Sequence, residues 1–322
     1  MVTAQSSEPV VQLRRLFRKF GKTLAVNDVS FEVSRGQVFG YIGPNGAGKT
    51  TSMRILATLD LPDYGDALID GFSVINDPDL VRRRLGFMPD GFGAYHSMNC
   101  VEYLDFFARS YGLMGPERTR ALRHTLAFTG LDKISEKPIR GLSKGMRQRL
   151  CLGRAMIHDP LVLILDEPAN GLDPRARIEL RLMIRELASE GKCILVSSHI
   201  LTELGEMCDT IGIIERGKLL ATGSVQDIQN QLRPHVDILI QLLGEDGPGN
   251  GQKLQQWLTG KASVDHARLT DSFVRLQFTG DSSAQASLLR SILNEGFHVV
   301  QFRTEARSLE DVFLQITTGA VQ

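Results

Sequence analysis

Long apolar runs are missing from this 322-residue sequence. A membrane-spanning helix needs roughly 20 consecutive apolar residues, whereas the most apolar run here, Leu161 to Leu165, is the size of a β-strand. The N-terminal stretch MVTAQSSEPVVQLRRLF has no apolar core of the kind a signal peptide carries. The chain is therefore expected to be soluble, with any membrane role supplied by a partner. Net charge is absent too: 37 Lys and Arg balance 37 Asp and Glu. Without overall basicity, nucleic acid is not an expected partner. The local clusters Arg14, Arg15, Arg18, Lys19 and Arg82-Arg83-Arg84 read as solvated faces. Cysteine is scarce and scattered, at positions 100, 151, 193 and 208, with no C-x-x-C spacing. That excludes a zinc cluster or a disulfide framework and leaves buried free thiols in a reducing compartment.

What remains is an ordinary globular composition, 42% hydrophobic and 23% charged, on a chain longer than one average domain. One large α/β domain and a smaller second one are expected. Residues 10–40 alternate around turns at Gly21-Lys22 and Ser34-Arg35-Gly36 and read as short strands. Val38–Ile42 is a buried strand running into a Gly-rich loop, followed by a helix over about 49–59. Helical spacing fills residues 97–157. Leu161–Leu165 and Cys193–Ser197 are further buried strands, and Asp173-Pro174 is the N-cap and first position of another helix. Strands alternating with helices predict a mostly parallel sheet covered on both faces.

The texture changes near Pro234. Val236, Ile238, Ile240 and Leu242 alternate as an amphipathic strand, and the loop Gly244–Gly251 reads as flexible. A short helix at 253–258, strands at 262–269 and 272–278, a helix at 283–295, a strand at 297–304 and a helix at 308–317 follow. The order β-α-β-β-α-β is that of a ferredoxin-like split unit. The expected domains are 9–233, with a helical subdomain over about 91–157, and 235–318.

Two segments carry chemistry. Gly43-Pro44-Asn45-Gly46-Ala47-Gly48-Lys49-Thr50 matches G-x-x-x-x-G-K-[ST] between a strand and a helix. Glycines let backbone N–H groups turn onto phosphate oxygens, and the helix points its positive end at the same anion. Lys49 then reaches the β and γ phosphates, Thr50 offers its hydroxyl to Mg²⁺, and Thr51 completes the ATP-binding set. In the second segment, the strand Leu161–Leu165 ends in Asp166-Glu167. Asp166 is placed to hold Mg²⁺ and Glu167 to polarise the attacking water.

Leu142-Ser143-Lys144-Gly145-Met146-Arg147-Gln148-Arg149 resembles the signature motif of ABC ATPases. Asn170-Gly171-Leu172-Asp173 resembles their D-loop and His199 their switch histidine. All stand in family order across about residues 10–230. The resemblance implies a P-loop NTPase fold of ABC type: a parallel core sheet, an antiparallel β subdomain and a helical subdomain, here followed by the small C-terminal α+β ferredoxin-like domain. It implies ATP and Mg²⁺ as cofactors and ATP hydrolysis as the activity. Ser143 and the Gly145 backbone would bind the γ-phosphate held by another subunit's P-loop, so that two ATP molecules are enclosed by a homodimer or a paired ATPase subunit. His199 would touch the γ-phosphate and the catalytic water. Phe20 stands where the family places an aromatic that stacks on adenine, with a core role as its competitor.

The sequence departs from the family twice. Asp90 stands where the Q-loop usually has glutamine, which makes it a further candidate for the metal. Lys144 and Met146 replace the commonest Gly and Gln of the signature. The stretch PDGFGAY, the run Glu102–Ala108 and the ending Ser308–Leu314 resemble ATPases of ABC-2-type exporters. Those pair with a separate six-helix permease, which implies a peripheral place on the cytoplasmic face of the plasma membrane. The alternative is a non-transport ABC ATPase acting on nucleic acid or ribosomes. Neither the coiled-coil insertion nor the second ATPase unit of such relatives is present, and no direct nucleic-acid contact is expected.

Overall fold

The computed structural model describes residues 9–91, 93, 97–200, 205, 207–224, 227–228, 236–243, 247–261, 263–270 and 273–305. Contacts divide the chain into two compact units, Met1–Val225 and Gln226–Gln322.

The first unit opens with β1 (Pro9–Phe20), β2 (Thr23–Ser34) and β3 (Val38–Ile42). Then come α1 (Lys49–Leu56), β4 (Tyr64–Ile69), β5 (Phe72–Ser73), α2 (Pro78–Arg84) and β6 (Leu85–Met88). Helices α3 (Cys100–Ser110), α4 (Gly115–Phe128) and α5 (Lys144–Met156) follow. The unit closes with β7 (Val162–Leu165), α6 (Pro174–Ser189), β8 (Cys193–Ser198), β9 (Thr210–Glu215) and β10 (Lys218–Ser224). Two sheets result. An antiparallel sheet runs β2-β1-β4-β5, and a six-stranded sheet runs β10-β9-β3-β8-β7-β6. In the second, only β10 is antiparallel to its neighbour. The central strands are buried along their whole length, and they read as unbroken apolar runs for that reason.

The two sheets meet in one core, where the ring of Phe31 from β2 stacks on Phe39 from β3 at 4.6 Å. The helical subdomain has a separate core built from α3, α4 and α5, with Tyr103, Leu104 and Leu150 fully buried. A capping box starts α3: Asn99 accepts the Glu102 N–H while Glu102 accepts the Asn99 N–H. Gly86 in β6 lets α5 approach the sheet, since a Cβ there would run into the Ala155 carbonyl. Strands β4 and β5 are joined by Asp70-Gly71, both at positive φ (51° and 80°), the twist a two-residue hairpin needs.

The second unit is β11 (Val236–Leu242), α7 (Gly247–Thr259), β12 (Val264–Thr270), β13 (Phe273–Phe278), α8 (Ser282–Asn294) and β14 (Val299–Glu305). Its sheet runs β12-β13-β11-β14 with every neighbouring pair antiparallel, the ferredoxin-like arrangement that the order β-α-β-β-α-β predicts. Ile238 and Ile240 bury one face of β11 against Leu254 and Leu258 of α7 and Leu288 and Ile292 of α8.

Three expectations change. Helix α7 begins at Gly247, inside the segment that reads as a flexible loop. Arg18 is not a solvated charge: it is held between Asp60 (2.8 Å) and Asp63 (3.1 Å), with its side chain 22% exposed. Arg84 likewise pairs with Asp70 and lies over the Phe72 ring. The helix expected at 308–317 and the boundary at 232–235 lie outside the described residues. All four cysteines are buried free thiols, as expected, and burial pushes Cys193 up to about 12. Among the described residues no helix is long and apolar enough to cross a membrane.

Candidate active site

Strand β3 delivers the chain into the loop 43–48, and α1 starts at Lys49 behind it. Gly48 is the N-cap of α1, with φ 108°. A side chain would be strained there, and its Cβ would collide with the Ala25 carbonyl of β2. No side chain caps α1, and no acidic residue lies in its first turn. Its first N–H groups are therefore open to an anion. Residues 45–51, together with Ala25, Asp90, Glu167, Asn170 and His199, line a cavity of about 370 Å³. Gly43 and Pro44 are not among its lining residues, and their carbonyls accept from Lys49.

Lys49 is buried (5% exposed) and folded back on its own loop. Its ammonium donates to the Gly43 carbonyl at 2.6 Å and the Pro44 carbonyl at 3.3 Å, and lies 3.4 Å from Glu167 Oε1. The other carboxylate oxygen of Glu167, Oε2, is 2.8 Å from His199 Nδ1. Glu167 thus lies between two nitrogen groups. Its backbone is left-handed, φ 49°, an uncommon state for a side-chain-bearing residue. The neighbouring Asp166 is buried (2% exposed) and accepts from the Ser197 hydroxyl at 2.6 Å and from Thr50. Burial raises the Asp166 carboxyl above its ordinary value, and the charges of Glu167 and Asp90 add to that. The two hydroxyls pull it back down.

The donor set bears on Mg²⁺. No three His, Cys, Asp or Glu side chains among the described residues make a metal site by themselves. Mg²⁺ is ordinarily held by one or two carboxylates plus substrate phosphates. The Thr50 hydroxyl beside the Asp166 carboxylate, at the foot of an anion cradle, fits that partial protein share.

Not every residue singled out in the sequence reaches this cavity. Ser143 and Gly145 lie at the start of α5 and are not among the residues lining it. Ser143 is the N-cap, accepting the Met146 N–H at 3.2 Å. Gly145 faces Ala176 near the start of α6, where Asp173 caps by accepting the Ala176 N–H at 2.8 Å. Phe20 ends β1 and does not line the cavity. It is 47% exposed with the Arg18 guanidinium over its ring, so the core role is excluded. Asp90 does face the cavity, and Asn170 Nδ2 donates to it at 3.4 Å. Ser197, Ala25 and the place of Asn170 at the cavity wall emerge only from the structure. Ser197 had a signal, a hydroxyl ending an apolar strand. Ala25 had none.

The family model described as ABC transporter matches residues 26–170, and the one described as ATP-binding protein DrrA1-3-like, C-terminal domain, matches residues 223–317. The Nod factor export ATP-binding protein I of Ralstonia nicotianae is 32% identical over 313 residues, 97% of this chain and 94% of that protein. The chain belongs to the ABC transporter ATP-binding protein family. The probable multidrug ABC transporter ATP-binding protein YbhF of Escherichia coli is 36% identical over 230 residues, 71% of this chain. The match spans only 40% of YbhF, which is the longer protein. Among solved structures, an ATP binding subunit of an ABC transporter superimposes with a TM-score of 0.63 at 32% identity, covering 69% of this chain and 92% of that one. This chain is thus an ABC-type ATP-binding protein.

Proposed function

We propose that this chain is the motor of an export transporter: two ATPase subunits close on two Mg-ATP and drive a separate membrane permease from its cytoplasmic face. The observation that carries the paired form is the separation of the two anion sites. Ser143 and the start of α5 do not line the cavity of Lys49, so one chain offers each ATP only half of its contacts. A second copy can supply the other half. The names of the relatives, multidrug transport and Nod factor export, support outward cargo movement. A DrrA1-3-like second unit supports the exporter subfamily. We assign the ATPase domain to 9–233 and the accessory domain to 235–318. Nothing observed favours a nucleic-acid or ribosomal role.

The residues take these parts. The Lys49 ammonium leaves the Gly43 and Pro44 carbonyls for phosphate oxygens, and the N–H groups of residues 45–51 bind the rest of the anion. That removes the cation beside Glu167 Oε1, and the carboxylate becomes available to accept a proton from water. His199 fixes Glu167 through Oε2 and stabilises charge at the γ-phosphate. Thr50 and Asp166 would hold Mg²⁺, with Asp90 as a further candidate, and the ion would supply neutralisation of phosphate charge. Phe20, exposed at the hairpin end, offers its ring to adenine.

The test is Glu167→Gln. It should keep ATP affinity, nearly abolish turnover and accumulate an ATP-bound dimer, seen as a doubled mass by light scattering with Mg-ATP. A Glu167→Gln protein that hydrolyses ATP at the native rate removes Glu167 from this role.

A further inference from the structure

Strand β8 stands between β3, which feeds the phosphate loop, and β7, which ends in the two carboxylates. Its ladder with β7 runs from Val162↔Cys193 to Leu165↔Val196 and stops there. Ser197 is the next residue. It is opposite Tyr41 on the β3 side and 0% exposed. Two residues past the last ladder pair, Glu167 takes φ 49°. The Glu167 N–H then has no strand carbonyl to bond. It donates instead to Ser197 Oγ at 2.8 Å.

The Ser197 hydroxyl has a single proton, and it goes to Asp166 Oδ1 at 2.6 Å. One side-chain oxygen therefore grips both neighbours, the carboxylate of one and the backbone of the other. A carboxylate cannot donate, and a backbone N–H cannot accept, so the direction of both bonds is fixed. Two residues further on, His199 Nδ1 meets the Glu167 carboxylate at 2.8 Å. Strand β8 thus sets Asp166 and the Glu167 backbone through Ser197, and the residue just past its end, His199, meets the Glu167 side chain.

We propose that Ser197 is a positioning residue for ATP hydrolysis: its hydroxyl locks the metal-side carboxylate and the strained backbone of the water-activating carboxylate into one fixed relation. The hydroxyl touches no reacting atom. Without it, Asp166 loses a charge-assisted bond and keeps only the one from Thr50. The Glu167 N–H is left buried and unpaired, so the left-handed turn that aims the side chain loses its anchor. The phosphate loop and Lys49 are untouched, so capture of the nucleotide itself does not depend on Ser197. The inference concerns the assigned ATPase activity and does not require the dimer or the permease.

The experiment compares Ser197→Ala, Ser197→Val and Ser197→Thr with the native full-length chain. Thr keeps the hydroxyl, and Val has the shape of Thr without it. Three quantities are read: kcat and KM for ATP, the affinity for a fluorescent ATP analogue in EDTA and in Mg²⁺, and the melting temperature. The loss of one charge-assisted, buried hydrogen bond predicts a kcat about 10- to 100-fold lower for Ala and Val. Affinity in EDTA should stay within about twofold of native, since the N–H cradle is unchanged. The affinity gained on adding Mg²⁺ should shrink for Ala and Val, and Thr should recover both kcat and that gain. Equal kcat and equal Mg²⁺ gain in Val and Thr would overturn the proposal and leave Ser197 a space-filling residue. So would a fall in EDTA affinity matching the fall in kcat, which marks general collapse of the site. If Val and Thr do not fold, Ala against native decides by the same two readings.

Discussion

Asp90→Gln restores the residue type usual at this position of ABC ATPases and removes one charge from the cavity wall. Asp90 lines the cavity with Glu167, and its charge is felt at Asp166, whose carboxyl it helps to raise. A triphosphate without metal therefore meets several carboxylates and one ammonium, that of Lys49. Loading Mg²⁺ changes the ligand charge by two units. At roughly 7 Å and an effective dielectric of about 60, two unit charges act on one with about 1.6 kcal/mol. Asp90 is exposed, and screening brings this to about 1 kcal/mol, or a factor of about five. The assay is a titration of a fluorescent nucleotide at fixed ionic strength, with EDTA and with Mg²⁺. Asp90→Gln should bind metal-free nucleotide more tightly than native, and the gain on adding Mg²⁺ should shrink by about fivefold. Superimposable titrations for native and variant would refute the reasoning and leave Asp90 as a partner of Asn170 alone.

Three further outcomes follow from other parts of the molecule. Removing residues 235–322 should leave a folded chain that still binds ATP, because every nucleotide motif lies upstream; a truncated chain that is folded by circular dichroism yet blind to ATP would show the boundary to be wrong. His158 stacks on Tyr111 at 3.6 Å, donates through Nε2 to the Leu85 carbonyl and has no partner at Nδ1 among the described residues. Burial lowers it to about 4 against the bonding of Leu85 and the charge of Asp159. Its contribution is present above the unfolded value near 6.5 and is lost as pH falls from about 6.5 to 4, on the order of 2–3 kcal/mol. Denaturant melts of native and His158→Phe at pH 7.5 and 4.5 should show a smaller acid loss in the variant; equal losses would contradict the assignment. His199→Ala should lower turnover at least tenfold with little change in ATP affinity, since His199 bonds the Glu167 carboxylate while the N–H groups of the 43–51 loop stay in place; a parallel loss of both would give His199 a binding role instead.

The phosphate loop, the Asp166-Glu167 strand and the Asp173 cap were legible because each is local. A buried apolar strand, a glycine run and a capping residue act within a few positions of one another. The ferredoxin-like unit was legible from the order β-α-β-β-α-β, with Val236, Ile238, Ile240 and Leu242 marking its first strand by alternation. Helix α7 was misread at its start because GPGNG has turn-forming residues, and tertiary context overrode that propensity. Arg18 was misread because Asp60 and Asp63 lie more than 40 positions away in sequence. The same limit hid Ala25 from the cavity and hid the double grip of Ser197. Both require knowing which strand lies beside which. The turn Asp70-Gly71 did carry a local hairpin signal that passed unused.

The central claim is that each ATP is completed by two chains, Lys49 from one and Ser143 from the other. Mixing two inactive variants tests it directly. Lys49→Ala lacks the phosphate lysine, and Ser143→Arg blocks the start of α5 while leaving the 43–51 loop intact. Each alone should be nearly inactive in ATP hydrolysis. In an equal mixture, half of the pairs contain one of each variant, and each such pair has one intact site out of two. With independent sites, the mixture should recover about a quarter of the native rate. No recovery from a mixture shown to form mixed pairs, or native activity of Ser143→Arg by itself, would contradict the shared site.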